Sequence, residues 1–257
     1  MKKPIIAAQL YTLRDLLNGK NEAEIRQVLT EVKDIGYTAV QISGVGEVTP
    51  ALAETYRSIC QELDLDICAT HFNLDYMEKN LEWVVDIHKL WRCDYAGVGS
   101  MPESMRDEAS LMPFINRMNL LGQQLKEVGI QLVYHNHRFE FEQSEGKPWL
   151  QIMLEGFDPE VVQFELDTYW VQAGGANPVT WINKVAGNMG IMHLKDMSIV
   201  DNEQLFAEIG QGNLEWPAIM EAAVKAEVTY AAVEQDSDTE DPMASLKISY
   251  DFLQGLL

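Results

Sequence analysis

The sequence predicts an α/β fold of the (β/α)8 TIM-barrel type, built as a single domain over residues 1–257. Three observations carry that expectation. Short apolar runs alternate with longer amphipathic ones from end to end, the pattern of parallel strands joined by helical crossovers. Eight such runs fit within 257 residues, and a barrel of this kind typically takes about 250. No G-x-G-x-x-G follows the first run, so an open dinucleotide-binding sheet lacks its main support.

PIIAAQLYT (4–12) is the first strand. In NEAEIRQVLTEVKDIG, Ile25, Val28, Leu29 and Val32 recur at helical spacing, and Gly36 stands where a C-terminal cap is needed. YTAVQIS (37–43), LDICATHF (65–72) and YAGVGSM (95–101) are strands two to four. Gly129 closes a helix before the fifth strand, IQLVYHNH (130–137). VQFELDTYW (162–170), GIMHLKDM (190–197) and VTYAAVEQD (228–236) complete the set. Asp241-Pro242 opens the last helix with an N-cap and a proline at the first helical position. No Pro/Gly/Ser-rich linker or internal repeat divides the chain.

Forty acidic against nineteen basic residues give a formal charge of −21. Such a field repels phosphate backbones and anionic lipid surfaces, which argues against nucleic-acid and membrane partners. A small neutral molecule, or one whose charge a bound cation meets, fits better. Cys60, Cys68 and Cys93 are odd in number, without C-x-x-C spacing, and read as reduced structural thiols in a cytoplasmic protein. The apolar run after Lys2 and Lys3 is too short for a signal peptide, and no run reaches the roughly eighteen residues of a membrane span.

Barrel chemistry gathers at the C-terminal ends of the strands. Those ends carry Gln9 and Tyr11, Gln41 and Ser43, His71 and Asn73, then His135 and His137 with Glu140 after them. Asp167, His193 and Lys195, and Glu234 and Asp236 complete the rim. His135 and His137 lie two residues apart, so on a strand both imidazoles aim one way. Four of the five histidines fall at this rim, and His88, inside LEWVVDIHKLWRC, reads as structural. Imidazoles and carboxylates without a cysteine suit one divalent metal ion (Mn²⁺, Mg²⁺, Zn²⁺ or Co²⁺) with open positions for substrate oxygens.

YHNHRFEF (134–141), ELDTYWVQAGG (165–175), IMHLKD (191–196), IGQGNLEW (209–216) and VEQD (233–236) form a recognisable set. With GYTAVQISG (36–44) and THFNLD (70–75), the chain resembles the xylose isomerase-like sugar isomerase/epimerase superfamily over essentially its whole length. The resemblance implies one divalent cation bound by Glu, Asp, His and Glu from strands five to eight. Asp167, His193 and Glu234 carry over. The family's first Glu falls about where Tyr134 stands, so its place passes to Glu140, the nearest carboxylate, with His135 or His137 as the fallback.

The acid–base work of that missing Glu then falls to His135 or His137, with Glu140, Glu234 and Lys195 as the further catalytic candidates. Lys195 shares the face of His193 and suits a developing oxyanion. Gln9, Gln41, His71, Asn73, Trp170 and Lys195 are the candidate substrate contacts; Trp170 and Phe72 either stack on a sugar or simply pack the barrel mouth. The implied activity is that of a metal-dependent sugar or keto-sugar isomerase or epimerase, abstracting a proton next to a carbonyl through a metal-stabilised enediolate. The alternative is a metal-dependent dehydratase or lyase acting by β-elimination on inosose-like or 3-keto sugars and glycosides. The expected partner is a small-molecule sugar, and a homo-oligomer is compatible with the sequence. A non-catalytic sugar-binding barrel would need no metal set, and nuclease chemistry is opposed by the charge.

Overall fold

A computed structural model describes residues 2–237 and 239–256. Eight parallel strands close into a barrel: β1 (Ile5–Gln9), β2 (Ala39–Ile42), β3 (Asp66–Phe72), β4 (Tyr95–Val98), β5 (Gln131–His135), β6 (Val162–Asp167), β7 (Ile191–Leu194) and β8 (Tyr230–Val233). Each strand pairs with its neighbours in sequence, and β8 closes on β1, so the predicted fold class holds. Helices fill the crossovers. Glu22–Ile35 buries Ile25, Val28, Leu29 and Val32 and ends at Gly36 with φ +125°. Asp241 caps the last helix, its Oδ1 accepting from the amides of Met243 and Ala244. Among the described residues no helix is long and apolar enough to cross a membrane.

Strand alternation sorts the side chains into two cores. Outward residues such as Val40, Leu132, Tyr134, Phe164 and Met192 join the large layer beneath the helices. Inside, Ala7, Ala39, Cys68, Ala69, Val133, Ile191 and Ala232 form a separate small-residue cluster. Two residues further along their strands, on the same inward face, come Gln9, Gln41, His135, His193 and Glu234. A narrow apolar plug thus supports a polar layer at the C-terminal mouth.

Most strands stop one to three residues earlier than the sequence pattern suggests, and two of these stops shape the site. The sixth was expected to reach Trp170, but the Asp167 carboxylate accepts from the Trp170 amide at 2.9 Å and starts the helix Thr168–Ala173. The seventh was expected to reach Met197. It ends at Leu194, and the chain continues into a hairpin, Asp196–Val200 with Glu203–Ala207, that the sequence pattern does not reveal. Asp201 and Asn202 turn it with φ of 49° and 67°, conformations that Asp and Asn tolerate in two-residue hairpin turns.

Asp196 anchors the loop that leaves this hairpin. Its buried carboxylate accepts from the amides of Met197, Gly210, Gly212 and Leu214 at 2.8–3.1 Å and from Trp216 Nε1 at 2.6 Å. A Cβ on Gly212 would sit 2.3 Å from Asp196 Oδ1, which is why glycine stands there. This cage gives IGQGNLEW its physical meaning. Asp196→Asn turns an N–H₂ toward buried N–H donors and should destabilise the fold by about 3 kcal/mol. Calorimetry should show the melting temperature falling by on the order of 10 °C; a value within a degree of wild type would contradict the cage.

Candidate metal and substrate site

β6 and β7 pair in a register that sets Asp167 beside His193, and β7 with β8 sets His193 beside Ala232, two residues before Glu234. His135 arrives from β5 opposite Glu165. Ligand atoms of His135, Asp167, His193 and Glu234 all lie within 4.8 Å of one another, and all four residues are buried. The imidazole tautomers are set from behind. His135 Nδ1 lies 3.1 Å from the Gly99 carbonyl, so it carries the proton and donates it. Burial and the neighbouring His193 pull the His135 pKa down, leaving Nε2 as a bare lone pair 3.2 Å from Asp167 Oδ2.

Two acceptors facing each other in a dry site are relieved by a cation between them, so the donor set fits a divalent ion. A ligand histidine that donates its other N–H to a carbonyl or carboxylate is the usual support for such an ion. His193 shows the same arrangement. Its Nε2 faces Gln41 Oε1 at 2.9 Å and Glu165 Oε1 at 3.1 Å, while Nδ1 faces Glu234 at 2.9 Å and Asp167 at 3.9 Å. Burial opposes a charge on His193, but Glu165 and Glu234 overcome it and lift its pKa to about 10. Binding a metal at Nδ1 must therefore displace a proton.

Glu165 is the residue the sequence reading missed. It is fully buried on the face of Asp167, two positions earlier, and holds Gln41 Nε2 at 2.8 Å, His193 and His71 Nε2. His71, Glu165 and His193 also bring ligand atoms within 4.8 Å. There each Glu165 oxygen already has a hydrogen donor, so that group is satisfied internally. The period-two rule applied backwards from Asp167 was the signal that could have found it.

Glu140, expected as the fourth ligand, is not brought into this group. It sits in the short 3₁₀ turn Phe139–Phe141 and follows Tyr134, which points outward against Phe114 and Phe157. One Glu140 oxygen accepts from Tyr134 Oη at 2.5 Å and the other from the His137 amide at 2.8 Å. Burial raises its pKa to about 7. His135, one of the two fallbacks, stands in the ligand group instead.

Lys195, 2% exposed, spans the mouth, with Nζ at 3.2 Å from Asp167, 2.7 Å from Glu234 and 2.9 Å from Asp236. Thr168 Oγ1 donates to the Lys195 carbonyl at 2.8 Å and accepts its amide at 3.0 Å, clamping the residue just past β7. Despite burial, the three carboxylates hold the lysine protonated, and with His193 it holds Glu234 ionised. Burial and Glu234 push Asp236 up to about 7, against the pull of Lys195.

Above these groups opens a cleft of about 580 Å³. Of the expected substrate contacts, His71, Asn73, Trp170 and Lys195 line it, joined by His135, His137, Glu234 and Asp236. Gln9 and Gln41 do not; they are fully buried in the polar layer. Asn73 also caps the helix Leu74–Lys79. Phe72 lines the cleft and stacks on Tyr76.

The family model described as "Xylose isomerase-like TIM barrel" matches residues 29–255. An inosose dehydratase of Geobacillus kaustophilus is 22% identical, covering 90% of this chain and 87% of its own. A sugar phosphate isomerase/epimerase from Parabacteroides distasonis superposes with a TM-score of 0.79 at 21% identity, over 99% of this chain and 94% of that one. A xylose isomerase-like TIM-barrel protein from Mycobacterium smegmatis, solved in complex with magnesium, does so with a TM-score of 0.77 at 14% identity, over 99% and 96%. At these identities the superpositions speak to the fold.

The geometry can be checked at two residues. His135→Ala should lower bound metal in equilibrium dialysis with Mn²⁺ by about 10-fold or more, whereas Glu140→Gln should leave it unchanged. The reverse pattern would restore Glu140 as the ligand. Glu140→Gln also reads out the raised carboxyl. Folding favours the protonated form, so the stability tied to this group is complete below its ordinary value of 4.5 and is lost as pH rises through about 7. Wild type should therefore lose on the order of 3 kcal/mol relative to the variant between pH 4.5 and 8 in denaturant titrations. Parallel curves would show that the carboxyl is not raised.

Proposed function

The chain belongs to the xylose isomerase-like TIM-barrel family, and from that premise we propose that it is a divalent-metal-dependent sugar or keto-sugar isomerase or epimerase. The observation that carries this reading is the convergence of His135, Asp167, His193 and Glu234 beneath a cleft that also presents Lys195 and Asp236. A divalent ion held by those four residues supplies Lewis acidity to adjacent substrate oxygens. Every other task falls to the chain.

Lys195, kept protonated by its carboxylates, donates to the oxygen on which negative charge develops when a neighbouring C–H proton leaves. Glu234 stays ionised. Asp236 exchanges its proton near neutral pH and lines the cleft, so we assign it the proton transfer. That moves the task from the histidine pair. His135 is engaged as a ligand, and His137, pulled down to about 2 by burial and by His135, stays neutral. Glu140 is screened from the cleft by its bonds to Tyr134 and His137 and acts as a support.

The similarity to an inosose dehydratase over 90% of the chain favours a second reading, β-elimination. It begins with the same proton abstraction but ends with loss of water, Asp236 or Lys195 protonating the departing hydroxyl. Asp236→Asn should retain wild-type metal content while slowing exchange of the substrate's α-hydrogen with D₂O by about 10²–10⁴-fold. Undiminished exchange would remove Asp236 from the role. Recovery of an isomeric sugar or of a dehydrated product from wild type decides between the two readings.

A further inference from the structure

The walls of the cleft describe the substrate as well as the reaction. Among the described residues they hold no arginine, and their one lysine is engaged by three carboxylates. Two guanidinium groups stand behind the walls. Arg14 donates to the carbonyls of Tyr11 and Asp236 and lies 4.4 Å over the Tyr11 ring. Arg106 donates to the Met101 carbonyl and to Ser100 Oγ and lies 4.4 Å over Phe139.

In many barrels, backbone amides after strands seven and eight cradle a substrate phosphate. Here the glycine-rich stretch after β7 aims the amides of Gly210, Gly212 and Leu214 at the chain's own Asp196. The N-terminus of the helix Thr168–Ala173 is likewise capped by Asp167. What faces the cleft instead is the carboxylate pair Glu234 and Asp236.

Uncharged hydrogen-bonding groups, by contrast, are left open. His137 Nδ1 and Trp170 Nε1 are buried atoms without a partner, on rings 5.2 Å apart that both line the cleft. An indole N–H only donates, and a neutral imidazole offers either one donor or one lone pair at Nδ1. Hydroxyl groups satisfy both, and Phe72 and Phe206 present apolar surface to the C–H face of a ring.

Resting on the proposed proton-abstraction chemistry, we propose that the substrate is an unphosphorylated keto-sugar, keto-glycoside or keto-cyclitol. Its hydroxyls are held by His137 and Trp170, and its phosphate esters find neither an unengaged side-chain cation nor an open row of amides beside the Glu234 and Asp236 carboxylates. The chain is thereby specific for neutral polyols.

The test uses the Mg²⁺-loaded protein with matched pairs: D-fructose and D-fructose 6-phosphate, D-tagatose and its 6-phosphate, and a 3-keto-glucoside and its 6-phosphate. NMR in D₂O follows α-hydrogen exchange, and thermal shifts follow binding, with metal content checked in each sample. Exchange should favour a neutral member over its phosphate by at least about 100-fold in kcat/KM, the cost of desolvating a phosphate that no donor answers. The neutral member should raise the melting temperature, and its phosphate and inorganic phosphate should not. Trp170→Phe keeps the ring and removes the N–H; KM for the neutral member should rise about 10-fold with kcat little changed. Equal or better exchange of a phosphate ester overturns the proposal while leaving the proton-abstraction reading intact. An unchanged KM in Trp170→Phe overturns the assigned contact. Exchange with no member of any pair counts against the proton-abstraction reading itself.

Discussion

Four carboxylates, Glu165, Asp167, Glu234 and Asp236, meet in the mouth of the barrel with hardly any water to share their charge. Anions buried together survive only where cations and hydrogen donors answer them. Lys195 answers three of them, and His193 lies between Glu165 and Glu234. These cations are shared among several carboxylates, and the facing acceptors of His135 and Asp167 mark the place where a further cation fits.

The rest of the fold can be understood as the means of holding that cluster. Alanines and other small residues beneath it keep the barrel interior dry and leave room for the long side chains above. Gly97 and Gly99 matter for the same reason: a Cβ at either would press on the His71 ring, at 2.6 and 3.1 Å. Thr168 clamps the backbone of Lys195 and the Asp196 cage fixes the chain after it, so the ammonium arrives already oriented. Freezing a long lysine side chain costs rotamer entropy, which this support offsets before any substrate binds.

The barrel was legible because apolar runs and helical periodicity recur eight times with little interruption, and Asp167, His193 and Glu234 because each ends a strand. The fourth member of the buried donor group was harder to read. Carboxylate chemistry drew attention to Glu140, yet Tyr134, its hydrogen-bond partner, lies on the outward face of β5, while His135 lies on the inward one. Strand parity, and not residue type, decides which side chain reaches the centre. Glu165 escaped notice for a related reason: inside a strand it looks like an ordinary polar residue, and only its three buried donors show what it supports. The hairpin after β7 was hidden because its run merges with the strand before it, although Asp201-Asn202 marks the turn.

The electrostatic cost of the cluster is also the source of its chemistry. Two carboxylates bridged by one ammonium cannot both ionise freely, so Glu234 remains charged while the proton is displaced onto Asp236, whose titration moves toward neutrality. Isolated in water, either group would be a weak base at pH 7, and without Lys195 both would be driven toward protonation. In the proposed mechanism one residue thus sets two functions: it keeps Glu234 available as a ligand and leaves Asp236 poised for proton transfer. Contributions measured by changing these three residues singly should therefore not be read as separable, because each removal changes the charge that the other two must bear.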